Sequence, residues 1–65
     1  MSQQEQQPFS NKLILSASDV MKILNVSRST AYRIIRSLNH ELDNAGKITV
    51  AGKISAKYFF EKMYL

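Results

Sequence analysis

Three arginines, Arg28, Arg33 and Arg36, share the window NVSRSTAYRIIRSL with Ser27, Ser29, Thr30 and Tyr32. Each guanidinium presents a planar fork of N–H donors that fits phosphate or carboxylate oxygens. Each hydroxyl can donate to or accept from partners of the same kind. No acid lies between Val20 and His40, a stretch that also holds Lys22. Residues of these types at this density have the chemistry of polyanion binding. The competing reading is a solvated helix face. Such a face commonly sets acids four residues from its basic side chains, and these arginines have none at that spacing.

Other chemistries find little to work with. The chain has no cysteine, which removes disulfides and thiolate metal sites. Its single histidine, His40, makes neither a histidine-rich metal centre nor a nucleophilic triad. No P-loop, paired carboxylates or nucleophile–base pair can be read, so neither an enzyme nor a cofactor or metal is expected. The longest apolar runs, LIL and YFF, fall far short of the ~20 residues of a membrane span. MSQQEQQPFSN has neither the basic start nor the apolar stretch of a secretory signal, and a cytoplasmic protein with no membrane partner is the expectation. Nine Lys and Arg against five Asp and Glu give a pI of about 9.7, in the range of nucleic-acid-binding domains.

These side chains need elements to hold them. Residues 1–11, with four glutamines and one proline, carry too little apolar surface to offset the entropy of ordering and read as a flexible arm. Residues 12–65 read as one small domain. Ser16 is placed to cap a helix, with Asp19 three residues on completing a capping box and Leu15 and Val20 at the positions of a hydrophobic staple. That helix should stop near Leu24, because Asn25 tolerates the left-handed conformation. Ser27 then caps the next. At 100° per residue, Ala31, Ile34, Ile35, Leu38 and Leu42 fall within about 60° of one direction. Ser29, Tyr32, Arg33, Arg36 and His40 take the opposite side, with Arg28 near the boundary. The helix is expected to run to about Asp43 and to close through Gly46.

Beyond Gly46 the pattern changes. Ile48 and Val50 alternate with Lys47 and Thr49, Ala51-Gly52 suits a tight turn, and Lys53-Ile54 resumes the extended pattern, so 47–55 reads as a β-hairpin. Ser55 can cap a final helix over about 56–64. Four of the six aromatics lie between Tyr58 and Tyr64, and there they should supply the bulk of the core, with Phe59 and Met63 facing inward. The expected fold is mainly α: three helices with a two-stranded hairpin as a wing.

Two helices joined by Asn25-Val26-Ser27, followed by a basic hairpin, match the helix-turn-helix pattern with a wing. LSASDVMKILNVSRSTAYRIIRSL and the later VAGKISAKYFFEKMYL resemble the excisionase and MerR-type winged helix-turn-helix domains. The resemblance runs from about Leu15 to Leu65 and is strongest in NVSRSTAYRII. Asn25 stands where that family commonly has glycine, and the second helix with its exit is longer than in typical excisionases. The resemblance implies a sequence-specific double-stranded DNA-binding protein of a phage or mobile element, acting in excision or in transcription. Carried over by position, Ser27 caps the reading helix, Arg28, Ser29, Thr30, Tyr32 and Arg33 meet DNA, and Lys53 sits on the wing. Arg36, farther along the basic stripe, and Lys47, at the base of the hairpin, complete the candidate set.

Bland roles stand beside these. Tyr32 can cap the edge of the core, and Lys47 and Lys53 can protect an exposed strand edge. One reading helix gives a small footprint, so paired or tandem copies on DNA are expected, with an integrase or another DNA-bound protein as a further partner. The alternative function is a small adaptor or antirepressor that binds a protein and not DNA.

Overall fold

The computed structural model describes residues 12 to 63; the arm expected at 1–11 lies outside the described residues, as do Tyr64 and Leu65. In chain order the elements are β1 (Ile14–Ser16), α1 (Ala17–Leu24), α2 (Arg28–Asn44), β2 (Lys53–Ser55) and α3 (Ala56–Met63). The fold is mainly helical, three helices with a two-stranded antiparallel sheet, consistent with a small winged helix-turn-helix.

Each helix begins and ends where its local chemistry places it. Ser16 caps α1 by accepting from the Asp19 backbone N–H at 3.3 Å, and the Asp19 carboxylate accepts from the Ser16 N–H at 2.9 Å. Leu15 and Val20, the staple pair, are fully buried. Asn25 ends α1 in the left-handed conformation, with φ 57° and ψ 53°. Ser27 caps α2 through the Thr30 N–H. At its far end, Gly46 at φ 84° donates to the Asp43 carbonyl and Lys47 donates to the Leu42 carbonyl. This is the glycine closure that satisfies two orphan carbonyls at once. The Ser55 hydroxyl accepts from the Tyr58 N–H to start α3.

The core forms where these elements meet. Ala31, Ile35 and Leu38 of α2 are buried against Leu15, Ala17 and Val20 and against Ile54, Ala56 and Phe59, while Ile34 and Leu42 flank them partly buried. Phe59 is the largest fully buried side chain, and Phe60 meets its ring edge-on at 5.3 Å. Among the described residues Phe59 is the one aromatic of nine buried apolar side chains, so the bulk of the core expected from the 58–64 aromatics is supplied instead by aliphatic residues of β1, α1, α2 and β2, with Tyr58, Phe60 and Met63 only partly buried against it.

The sheet departs from the expected hairpin. β2 pairs antiparallel with β1, in the register Ile14↔Ser55, Leu15↔Ile54 and Ser16↔Lys53, and Lys47–Val50 lies outside it. The turn itself is present: Lys53 donates to the Val50 carbonyl at 3.1 Å across Ala51-Gly52. Only Gly52 takes a positive φ, 78°, whereas a two-residue hairpin turn of the most favoured type needs it at both positions. The first arm is also held elsewhere, by the Lys47 N–H on Leu42 and by the Thr49 hydroxyl on Asp43 at 2.8 Å. β1 offers β2 what that arm does not, the fully buried Leu15 facing the buried Ile54. A bond from the Ala56 N–H to the Leu13 carbonyl extends the ladder.

Candidate nucleic-acid interface

Burying the Ala31–Ile35–Leu38 stripe leaves the other side of α2 to solvent. Ser27, Arg28, Ser29, Tyr32, Arg33 and Arg36 are exposed there, and Thr30 is half-buried. The Ser27 hydroxyl is engaged within the cap: it donates to Thr30 Oγ1 at 3.0 Å and lies 3.4 Å from Ser29 Oγ. The first turn of α2 holds no acid, so no carboxylate neutralises the positive end of the helix dipole. Lys47 and Lys53 are exposed at the two ends of the loop that follows.

Charge is distributed unevenly over the fold. Among the described residues, Arg28, Arg33 and Arg36 enter no salt bridge. Three of the described acids, by contrast, are already engaged. Asp19 holds its capping N–H and pairs with Lys12 at 2.9 Å. Its carboxyl is drawn below the usual aspartate value by the Ser16 backbone N–H first, against the opposing effect of burial, with Lys12 adding to the lowering. Glu41 accepts from the Tyr58 hydroxyl at 2.5 Å and pairs with Lys62 at 3.3 Å, which ties the C-terminal half of α2 to α3. The Tyr58 bond, with Lys62 next, lowers the Glu41 carboxyl, and the same contact raises the Tyr58 phenol. Asp43 accepts from Thr49. The N-terminal two-thirds of α2 is therefore a cationic surface with no acid on it.

One residue absent from the sequence-derived set organises the geometry. Asn39 is only 8% exposed, and its side-chain amide donates to the Val50 carbonyl at 3.2 Å and to the Lys53 carbonyl at 2.8 Å. Those carbonyls flank the Ala51-Gly52 turn, so α2 itself holds the loop. The signal in the sequence was a lone amide bordering the apolar stripe, next to Leu38. Between helix and loop lies an open cleft of about 540 Å³, lined by Tyr32, Arg36, His40 and Asp43 on α2 and by Thr49, Ala51 and Gly52 on the loop. The Tyr32 ring packs so close to Gly52 that a Cβ there would sit 3.4 Å from Cε1. Of the expected site residues, Tyr32 and Arg36 line this cleft. Arg28, Ser29 and Arg33 belong to the open face of α2, and Lys47 and Lys53 to the loop.

Among the described residues no three His, Cys, Asp or Glu side chains gather to hold a metal, and no helix is long and apolar enough to cross a membrane. Among characterised proteins, the chain is similar to the ICEBs1 excisionase of Bacillus subtilis (strain 168): 40% identical over 47 residues, which cover 72% of this chain and 73% of the relative. No family model and no solved structure matches the chain.

Proposed function

From the chain's membership of the excisionase family, shown by its kinship with the ICEBs1 excisionase, we propose that it is a sequence-specific double-stranded DNA-binding factor of a mobile element or phage. It acts as an excision factor or regulator by shaping and marking DNA, with no catalytic step of its own. In this reading α2 lies in the major groove and the 47–55 loop serves as the wing. The observation that carries it is the acid-free exposed surface of the N-terminal two-thirds of α2, with Arg33 and Arg36 unpaired on the side opposite the buried stripe and Arg28 unpaired near its boundary. Unpaired guanidiniums can take guanine O6 and N7 bidentately. The exposed N-terminus of α2, Ser29 and Thr30 suit phosphate oxygens and set the register. Lys47 and Lys53 extend the cationic surface to the loop.

Paired or tandem copies bind adjacent sites, since one reading helix covers few base pairs. An integrase or another DNA-bound protein is the natural neighbour. A fluorescence anisotropy titration against duplex fragments of the protein's own locus tests the proposal. Binding should weaken with salt by about 0.9 log units per phosphate contact for each log unit of salt. Arg33→Ala should cost ~1–3 kcal/mol on the specific site and little on random duplex. Absence of duplex binding at low ionic strength would refute the proposal in favour of a protein-binding adaptor or antirepressor.

A further inference from the structure

We infer that the free edge of β1 is a contact surface for a second copy of this chain, paired antiparallel about a two-fold axis at Ile14. The backbone shows where that edge is open. The Ala56 N–H donates to the Leu13 carbonyl, so these two residues form a hydrogen-bonded pair. Such pairs alternate along an antiparallel ladder, which makes Leu15 and Ile54 the next one and turns the N–H and C=O of Ile14 away from β2. Neighbouring outward groups already have partners. The Ser16 N–H donates to Asp19, and on the opposite edge the Lys53 N–H and carbonyl are taken by Val50 and Asn39. Ile14 has no such partner among the described residues. It is 54% exposed and Leu13 85%, so apolar surface and an unpaired donor and acceptor coincide on one short edge. The lysine that could guard this edge, Lys12, is drawn onto Asp19 at 2.9 Å.

The edge is complementary to itself. Two strands paired at Ile14 exchange both bonds there, each copy supplying the donor and the acceptor that the other lacks. The Ile14 side chains then meet on the outer face, and Leu13 falls opposite the partner's Leu15. Lys12 falls opposite the partner's Ser16, beside the cap that holds the partner's Asp19, so cation meets anion across the axis and not its own kind. The net charge of +4 opposes the approach of two copies in most orientations. This edge minimises that cost. Asn39 of α2 is bonded to Lys53 on the far edge of β2, so the free edge of β1 lies on the side of the sheet away from α2, and the arginines of the two copies stay apart. With three residues in the strand, the contact falls in the weak class below about 1,200 Å². An isologous contact closes at two copies. The pairing needs no DNA, and it gives the paired copies of the DNA-binding reading a two-fold symmetry that suits inverted half-sites.

Sedimentation and amide exchange of the native chain without DNA test this, from ~0.02 to ~1 mM, a range that reaches weak contacts. The chain should pass from monomer towards dimer, and the Ile14 amide should exchange about threefold more slowly at the top of the range. Ile14→Lys should stay monomeric throughout, with circular dichroism and thermal melts showing that it folds. Ile14→Cys gives the chain its one cysteine and sets the two Cα atoms about 5.5 Å apart across the axis, within the span of a disulfide. Mild oxidation should link it ~10 times faster than Ile48→Cys, whose position on the loop is 97% exposed. Equal linking rates, a native chain that stays monomeric to the top of the range, or an Ile14→Lys variant that associates like the native chain overturns the pairing. Protection of the Ile14 amide at every concentration, lost when residues 1–11 are removed, assigns the edge to the chain's own N-terminal residues and overturns it as well. No readout here involves DNA, so these failures leave the DNA-binding reading standing, and failure to bind any duplex leaves the pairing standing.

Discussion

Replacing Asn39 tests whether α2 holds the loop. Asn39→Ala removes two donors and leaves the Lys53 carbonyl without the 2.8 Å partner seen here, while the Val50 carbonyl keeps the Lys53 N–H. One orphaned, part-buried acceptor costs about 1–3 kcal/mol. At roughly 0.05–0.15 kcal/mol per residue, a chain of 65 residues has about 3–10 kcal/mol in total, so the loss is a large fraction of it. A 2 kcal/mol loss should lower Tm by about 8–16 °C in a domain of this size. Asn39→Asp should be worse at neutral pH, because it turns a carboxylate towards two carbonyl oxygens. Burial and that repulsion raise the folded-state pKa of such a group above its unfolded value of about 3.9. The penalty is then full above the folded value, shrinks as pH falls through it, and is gone below the unfolded value. The assay is urea denaturation of both variants across pH 3 to 8, with amide exchange at Lys53 as a local probe. Asn39→Ala within ~0.3 kcal/mol of the native chain, or Asn39→Asp equal to Asn39→Ala at every pH, would refute the reasoning.

Three further outcomes follow from the caps and the turn. Asn25→Ala should destabilise by about 1 kcal/mol in denaturant melts, because φ 57° places a Cβ unfavourably, while Asn25→Gly should be neutral or slightly stabilising. Asp19, lowered chiefly by the Ser16 N–H, contributes stability that is present above the ordinary aspartate value of 3.8 and is lost as pH falls through its folded value. A melt series from pH 6 to pH 2 should show that loss in the native chain and not in Asp19→Asn. Gly52→Ala should destabilise by about 1–2 kcal/mol, since φ 78° is strained for alanine, and should shift Tyr32 ring resonances because the new methyl reaches Cε1.

The helices were legible because their boundaries are local events. Ser16 with Asp19, Asn25, Ser27 and Gly46 each act within a few residues of themselves, and each acts where its side chain or backbone preference puts it. The stripe of α2 was legible for a similar reason: a helix of 17 residues repeats its period often enough to show it. The open face carrying Arg28, Arg33 and Arg36 followed by subtraction. β1 was not legible. Three residues, Ile14–Ser16, are too few to display an alternation, and Leu13-Ile14-Leu15 reads as an undifferentiated apolar run. Its partner lies beyond two intervening helices, and no local signal names a distant strand.

That misplaced pairing has a consequence for how the surface works. In a self-paired hairpin, the Val50 and Lys53 region would be held by its own first arm, and the wing could swing as a unit away from the helix. Here the first arm is tied to the end of α2 through Lys47 and Thr49, and the turn is tied to its middle through Asn39. β2 is tied to β1 on the other side, next to the cap of α1. The loop is thus fixed from several directions by residues that belong to the helical body. Lys53 and the face of α2 consequently keep a set separation, and a ligand touching both meets a preorganised surface, with little ordering entropy left to oppose binding. Loosening any one tie should act on affinity through that entropy, even where the substituted residue touches no ligand.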